Sequence, residues 1–166
     1  MPSLTPEERP LALAAAIALA VGVATVAGAW GLQIFADIVP CPLCLRQRLV
    51  HYTALPLTAV ALAWLFAGRS AAVPRVLLGL AALLFAGGAV LGAYHAGVEW
   101  HWWPGPGSCV TGTGAPESAV GLLQQMESTR VVPCDEVTWS LFGLSLAGYN
   151  ALISTGIVVR LGWALR

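Results

Sequence analysis

The chemistry in this chain is concentrated in four cysteines. Cys41 and Cys44 form Cys-Pro-Leu-Cys, and Cys109 and Cys134 lie 25 residues apart. A bridge across two intervening residues restricts the chain very little, so the first pair is a poor staple and a common arrangement for reversible redox chemistry. The second pair would close a long loop, and spacing alone leaves a purely structural bridge open there. A four-cysteine zinc site would normally show two close pairs, and the second pair is not close. A c-type haem site would need His after the second Cys, where Leu45 stands. No flavin, haem or metal motif is visible.

Neighbouring residues sharpen the redox reading. Pro40 and Pro42 bracket Cys41, and Cys44 falls in or just before the first turn of a predicted helix, where open amides and the helix dipole favour a thiolate. Arg48 follows four residues on and shares a helix face with Cys44. A cation at a membrane boundary must snorkel or find a partner. Snorkelling is expected of Arg46, and a place beside the thiol is expected of Arg48.

The surrounding sequence says where these residues must sit. Of 166 residues, 58% are hydrophobic and 10% charged; eight Arg balance eight acids, and there is no Lys. That balance excludes the basic footprint of a nucleic-acid binder and the composition of a disordered chain. Four segments free of Asp, Glu, Lys and Arg are long enough to span a bilayer: 11–35, 49–67, 76–94 and 137–159. They must be helical, because lipid leaves backbone groups no other partner. The expected fold is an all-α integral membrane protein, one domain over 1–166. Its four-transmembrane-helix bundle carries two loops on the outer side, 36–48 and 95–136. Pro56 should kink the second span, and Gly87, Gly88, Gly92, Gly143, Ala147 and Ala151 should let helices approach closely. A cleaved signal peptide ending near Ala27-Gly28-Ala29 is the rival reading of the first span. Its length and Glu7 and Glu8 argue against it. A short helix is expected over 117–128, lying on the membrane surface.

With both termini on one side, that side holds Arg9, Arg69, Arg75, Arg160 and Arg166, and the other holds Arg46, Arg48 and Arg130 with six of the eight acids. The positive-inside rule then predicts cytoplasmic termini. Trp30, Trp100, Trp102, Trp103 and Trp139 would form a belt at the outer interface. All four cysteines fall in the outer loops. Two disulfides there can exchange electrons through mixed disulfides. A soluble dithiol would reduce the loop pair, which would reduce the Cys-Pro-Leu-Cys pair at the lipid boundary. A lipid-soluble quinone is the economical final acceptor.

These residues match a known pattern: Gln33; Pro-Cys-Pro-Leu-Cys-Leu-Arg-Gln-Arg at 40–48; Tyr-His-Ala-Gly-Val-Glu at 94–99; Gly-Pro-Gly-Ser-Cys at 105–109; and Cys134 followed by Trp-Ser-Leu-Phe-Gly-Leu-Ser-Leu-Ala-Gly-Tyr-Asn at 139–150. The chain resembles the bacterial disulfide bond formation protein B family, DsbB, over about residues 30–150. That family belongs to the quinone-linked system that keeps the bacterial periplasm oxidising. The resemblance implies an enzyme of the bacterial inner membrane, a quinone-dependent dithiol oxidase, and makes the two outer loops, 36–48 and 95–136, periplasmic loops. It would reoxidise a periplasmic DsbA-like thioredoxin-fold partner and pass electrons to ubiquinone or menaquinone, without metal, haem or flavin.

By the same resemblance Cys109 is attacked by the partner, Cys134 then attacks Cys41, and Cys44 leaves as a thiolate facing the quinone. Arg48 would hold the quinone, His95 would lie close to it, and Gln33 lies near the same boundary. His51, one turn beyond Arg48, reads as structural. Two alternatives share the chemistry: a paralogue dedicated to one client system, and a relative of vitamin K epoxide reductase. In that last family the Cys-x-x-Cys lies near the last helix rather than opening the second. A non-enzymatic scaffold with stapled loops is the alternative of a different class.

Overall fold

A computed structural model describes residues 4–68, 70–106 and 133–166. Cys109, Arg69, Arg130 and the helix expected over 117–128 lie outside them. The chain forms α1 (Glu8–Phe35), α2 (Pro42–Phe66), α3 (Ala72–Glu99), a hairpin of β1 (Ser140–Leu141) and β2 (Leu144–Ser145), and α4 (Leu146–Ala164). α1, α2 and α3 are each long and apolar enough to cross a membrane, and α4 adds a fourth helix of 19 residues.

The helices depart from the charge-free runs in ways that matter for the cysteines. α2 begins at Pro42, inside the expected loop 36–48. Proline suits the first helical turn because its missing N–H has no partner there. Cys41 is the extended N-cap, and its sulfur accepts from the Cys44 N–H at 3.2 Å. The Cys-Pro-Leu-Cys segment is thus itself a helix start. Pro56 lies within α2 without ending it. α3 runs past the expected end at Tyr94 to Glu99, and His95 to Glu99 are all buried. The fourth span, expected over 137–159, starts only at Leu146. The residues before it make a two-stranded addition to the all-α architecture. Its register pairs Ser140 with Ser145 and Leu141 with Leu144. Phe142 and Gly143 turn the chain with φ of 51° and 78°, the paired positive angles of a tight hairpin turn. Gly143 therefore serves the turn and no helix contact. Ser145 then caps α4, its hydroxyl accepting from the Gly148 N–H at 3.2 Å.

α1 packs on α2 and α4, and α3 packs on the same two helices. α3 and α4 approach closely at Gly92, where an added Cβ would lie 2.9 Å from the Ala151 nitrogen and 3.0 Å from the Ala147 oxygen. One apolar cluster, including Leu11, Ala15, Ala61, Leu78, Phe85 and Leu161, fills the bundle. A second, separate cluster joins Cys41, Leu43, Val98 and Cys134. Outward faces carry exposed Leu13, Leu83, Val90 and Leu152, as lipid-facing helices would. Trp30, Trp100, Trp102 and Trp103 are exposed, and Trp103 stacks on Tyr94 at 5.9 Å.

Candidate functional site

The first turn of α2 sets two free thiols side by side, with Cys41 Sγ donating to Cys44 Sγ at 2.7 Å. Cys41 is buried and Cys44 partly so. The hydrogen bond to Cys44, reinforced by burial, pushes the Cys41 thiol far above the ordinary range. Cys41 thus keeps the proton that the pair shares.

On one side of the pair lies a cavity of about 670 Å³ between α1, α2, the hairpin and α4. Its walls are largely apolar, and Cys44, Gln47, Arg48 and His51 bring the sulfur and polar groups to it. Arg48 is held rather than free. Its Nη1 donates to Gln33 Oε1 at 2.6 Å, its Nη2 donates to the Ala29 carbonyl at 3.1 Å, and its guanidinium lies 5.6 Å from the Trp30 ring centre. Tyr52 fixes that ring by accepting from Trp30 Nε1 at 2.8 Å. Planar stacking and directed donors are what distinguish Arg from Lys at such a position. Arg46, by contrast, is exposed.

On the other side lies a small polar cleft lined by Cys41, Cys44, His95, Glu99, Pro133 and Glu136. His95 Nε2 is 3.6 Å from Cys41 Sγ and 4.0 Å from Glu99 Oε1. Its Nδ1 is 2.7 Å from Gln47 Nε2. Glu99 accepts from the Ser145 hydroxyl, which ties the end of α3 to the start of α4. Cys134 enters from the segment before the hairpin, buried and disulfide-bonded. The sulfurs of Cys41 and Cys134 and a ring nitrogen of His95 lie within 4.8 Å of one another. Those distances would suit a metal ion, but a sulfur in a disulfide is not the thiolate that a zinc site requires.

The structure therefore brings Cys41, Cys44 and Cys134 together and sets Arg48 with Gln33 on the cavity side. His95, expected beside a cofactor, faces Cys41 and does not line the cavity. His51 does line it; its Nδ1 donates to the Gln47 carbonyl at 3.2 Å. Sequence reasoning assigned no task to Gln47, Glu99, Asn150 or Ser154, all of which are buried. The signal was available, since each is a polar residue in or beside an apolar run, where polarity is retained for a reason.

A thiol pair at a helix start, a third sulfur within reach and a cavity opening toward apolar helices make an arrangement suited to thiol–disulfide exchange in a membrane. The family model for disulfide bond formation protein DsbB matches residues 10–164. No curated protein and no solved structure matches the chain. The match spans nearly all of the chain, and this membrane protein belongs to the DsbB family of disulfide bond formation proteins.

Proposed function

We propose that the protein is a quinone-dependent dithiol oxidase of the bacterial inner membrane. It would have four membrane spans, cytoplasmic termini and its cysteines on the periplasmic side. A periplasmic DsbA-like thioredoxin-fold dithiol is its electron donor, and ubiquinone or menaquinone its acceptor. The observation that carries this reading is the row of sulfurs: Cys134 within 4.8 Å of Cys41, Cys41 2.7 Å from Cys44, and Cys44 on the cavity wall.

In the proposed sequence the partner thiolate attacks Cys109 and releases Cys134. Cys134 then attacks Cys41 of the oxidised Cys41–Cys44 pair, and Cys44 departs as a thiolate. Resolution of the mixed disulfide by the partner's second thiol returns the partner as a disulfide and leaves two electrons on the cysteines.

The cavity fits a quinone headgroup. Its volume is typical of small-molecule sites, and its walls are apolar with a few convergent polar groups. A quinone bound there would accept two electrons and two protons. Arg48 would hold its headgroup, and Gln33 and Trp30 would hold Arg48. The start of the Cys-x-x-Cys at the second helix, together with the DsbB match, favours this reading over a vitamin K epoxide reductase relative. Service to a single dedicated client remains a variant that differs only in partner.

Anaerobic mixing with a reduced thioredoxin-fold partner and either quinone tests the proposal. Partner disulfide and reduced quinone should form one for one. A partner that stays reduced would refute it.

A further inference from the structure

A chain of hydrogen bonds crosses three helices to reach Cys41, and its amide links set the direction of those at His95. Ser154 Oγ donates to Asn150 Oδ1 at 3.5 Å along α4. That contact turns the other end of the Asn150 amide toward α2, where Nδ2 donates to Gln47 Oε1 at 2.7 Å. With its oxygen so occupied, Gln47 presents Nε2 to His95 Nδ1 at 2.7 Å. An amide nitrogen only donates, so Nδ1 holds a lone pair and the proton of the neutral ring sits on Nε2. The backbone of Cys134 hydrogen-bonds the same ring and, as a carbonyl, can only accept. Nε2 is also the atom that lies 3.6 Å from Cys41 Sγ. Ser154, Asn150, Gln47 and His95 are all buried. Away from water, reversing one link alone would set donor against donor, so the four residues turn together, and donation by Ser154 to Asn150 sets the direction of the whole chain.

We propose that Ser154, Asn150 and Gln47 are positioning residues that lock His95 as a hydrogen-bond donor to Cys41, where it stabilises the Cys41 thiolate. His95 is then not the base that takes the Cys41 proton, because the nitrogen facing the sulfur already carries one. The value of this lock to catalysis rests on the proposed oxidase reading; the lock itself does not. The other ionisable groups around Cys41 are Cys44 and, across it, Arg48 on α2, Glu99 on α3, and Glu136 in the segment before the hairpin. The variants below leave all of these unchanged except Cys44, which is replaced throughout.

The test uses the full chain with Cys44→Ser, Cys109→Ser and Cys134→Ser, so that Cys41 is the sole thiol. Iodoacetamide alkylation is followed from neutral to alkaline pH, and the His95 tautomer is read by nitrogen-15 NMR. A donor to a thiolate lowers the thiol pKa by about one unit, so His95→Leu should shift the alkylation profile to higher pH, slowing alkylation up to about tenfold below the parent's midpoint and converging with the parent at alkaline pH. His95→Gln, whose amide can still donate, should recover most of the loss. Asn150→Leu frees the Gln47 amide to turn; it should slow alkylation about threefold and move proton density from Nε2 to Nδ1. Ser154→Ala, a smaller change, should move the tautomer the same way. A proton on Nδ1 in the parent, or His95→Gln as slow as His95→Leu, would overturn the proposal. So would Asn150→Leu or Ser154→Ala with the tautomer unmoved. No quinone or partner enters these measurements, so failure of quinone reduction with Nε2 protonated would count against the oxidase reading alone.

Discussion

The two flanks of the Cys41–Cys44 pair are built from opposite materials. The Cys44 flank is a roomy, mostly apolar cavity whose nearby cation, Arg48, is held by Gln33, Ala29 and Trp30. The Cys41 flank is tight and polar, with His95 and Cys134 close to the sulfur, Glu99 lining the same cleft and Ser145 holding Glu99. An apolar cavity with one fixed cation suits a lipid-soluble acceptor, whereas a dense set of directed hydrogen bonds suits control of a sulfur's charge during exchange. The difference teaches how one short motif could divide its labour under the proposed function: the helix start joins the sulfurs, and Cys44 lines the apolar cavity while Cys41 meets the polar cleft.

Cys44→Ser should break the division most completely. Quinone reduction should be lost while the partner still forms a mixed disulfide at Cys109. Residual quinone reduction would show that electrons leave by another route.

Arg48→His comes next. Losing the held guanidinium should weaken apparent quinone affinity by about 10- to 100-fold, the range of a hydrogen bond to a charged group. Exchange between Cys134 and Cys41 should be untouched. Equal damage to both steps, measured by quinone titration and by disulfide mapping, would deny that the flanks are separate.

Gly92→Leu drives a side chain against the backbone of Ala147 and Ala151. It should destabilise the α3–α4 contact by about 1–3 kcal/mol in a denaturation series. Because α3 carries His95 and Glu99, it should also slow Cys41 exchange more than it weakens quinone binding. Gln33→Leu should have the smallest effect. Arg48 keeps the Ala29 carbonyl and the Trp30 face, so affinity should fall only about three- to tenfold.

Much of this was legible in the sequence, and the losses share one cause. Counting charge-free residues finds spans but cuts a helix wherever a charge sits near its end. Arg46 and Arg48 hid the true start of α2 at Pro42, Arg75 hid the start of α3 at Ala72, and ending the third span before His95 left out the last turn of α3. The same criterion passed over the hairpin, because residues 137–145 carry no charge; only Phe142-Gly143 marks the turn. Neutral polar residues are invisible to it altogether. Gln47 and Asn150 are 103 residues apart in sequence, and only helix packing shows that their amides meet. The motif named the sulfurs and Arg48. That His95 faces Cys41 while Arg48 sits on the cavity side follows from which helix faces which, which no spacing along one helix determines.

The central claim is that electrons pass from Cys134 through Cys41 to Cys44. It is tested most directly by reacting the oxidised protein, with quinone withheld, with a thioredoxin-fold partner that lacks its second cysteine. The disulfides are then mapped by mass spectrometry. The account predicts a partner–Cys109 mixed disulfide, a Cys41–Cys134 bridge and a free Cys44. Partner bound at Cys109 with Cys41 still bridged to Cys44 would contradict it.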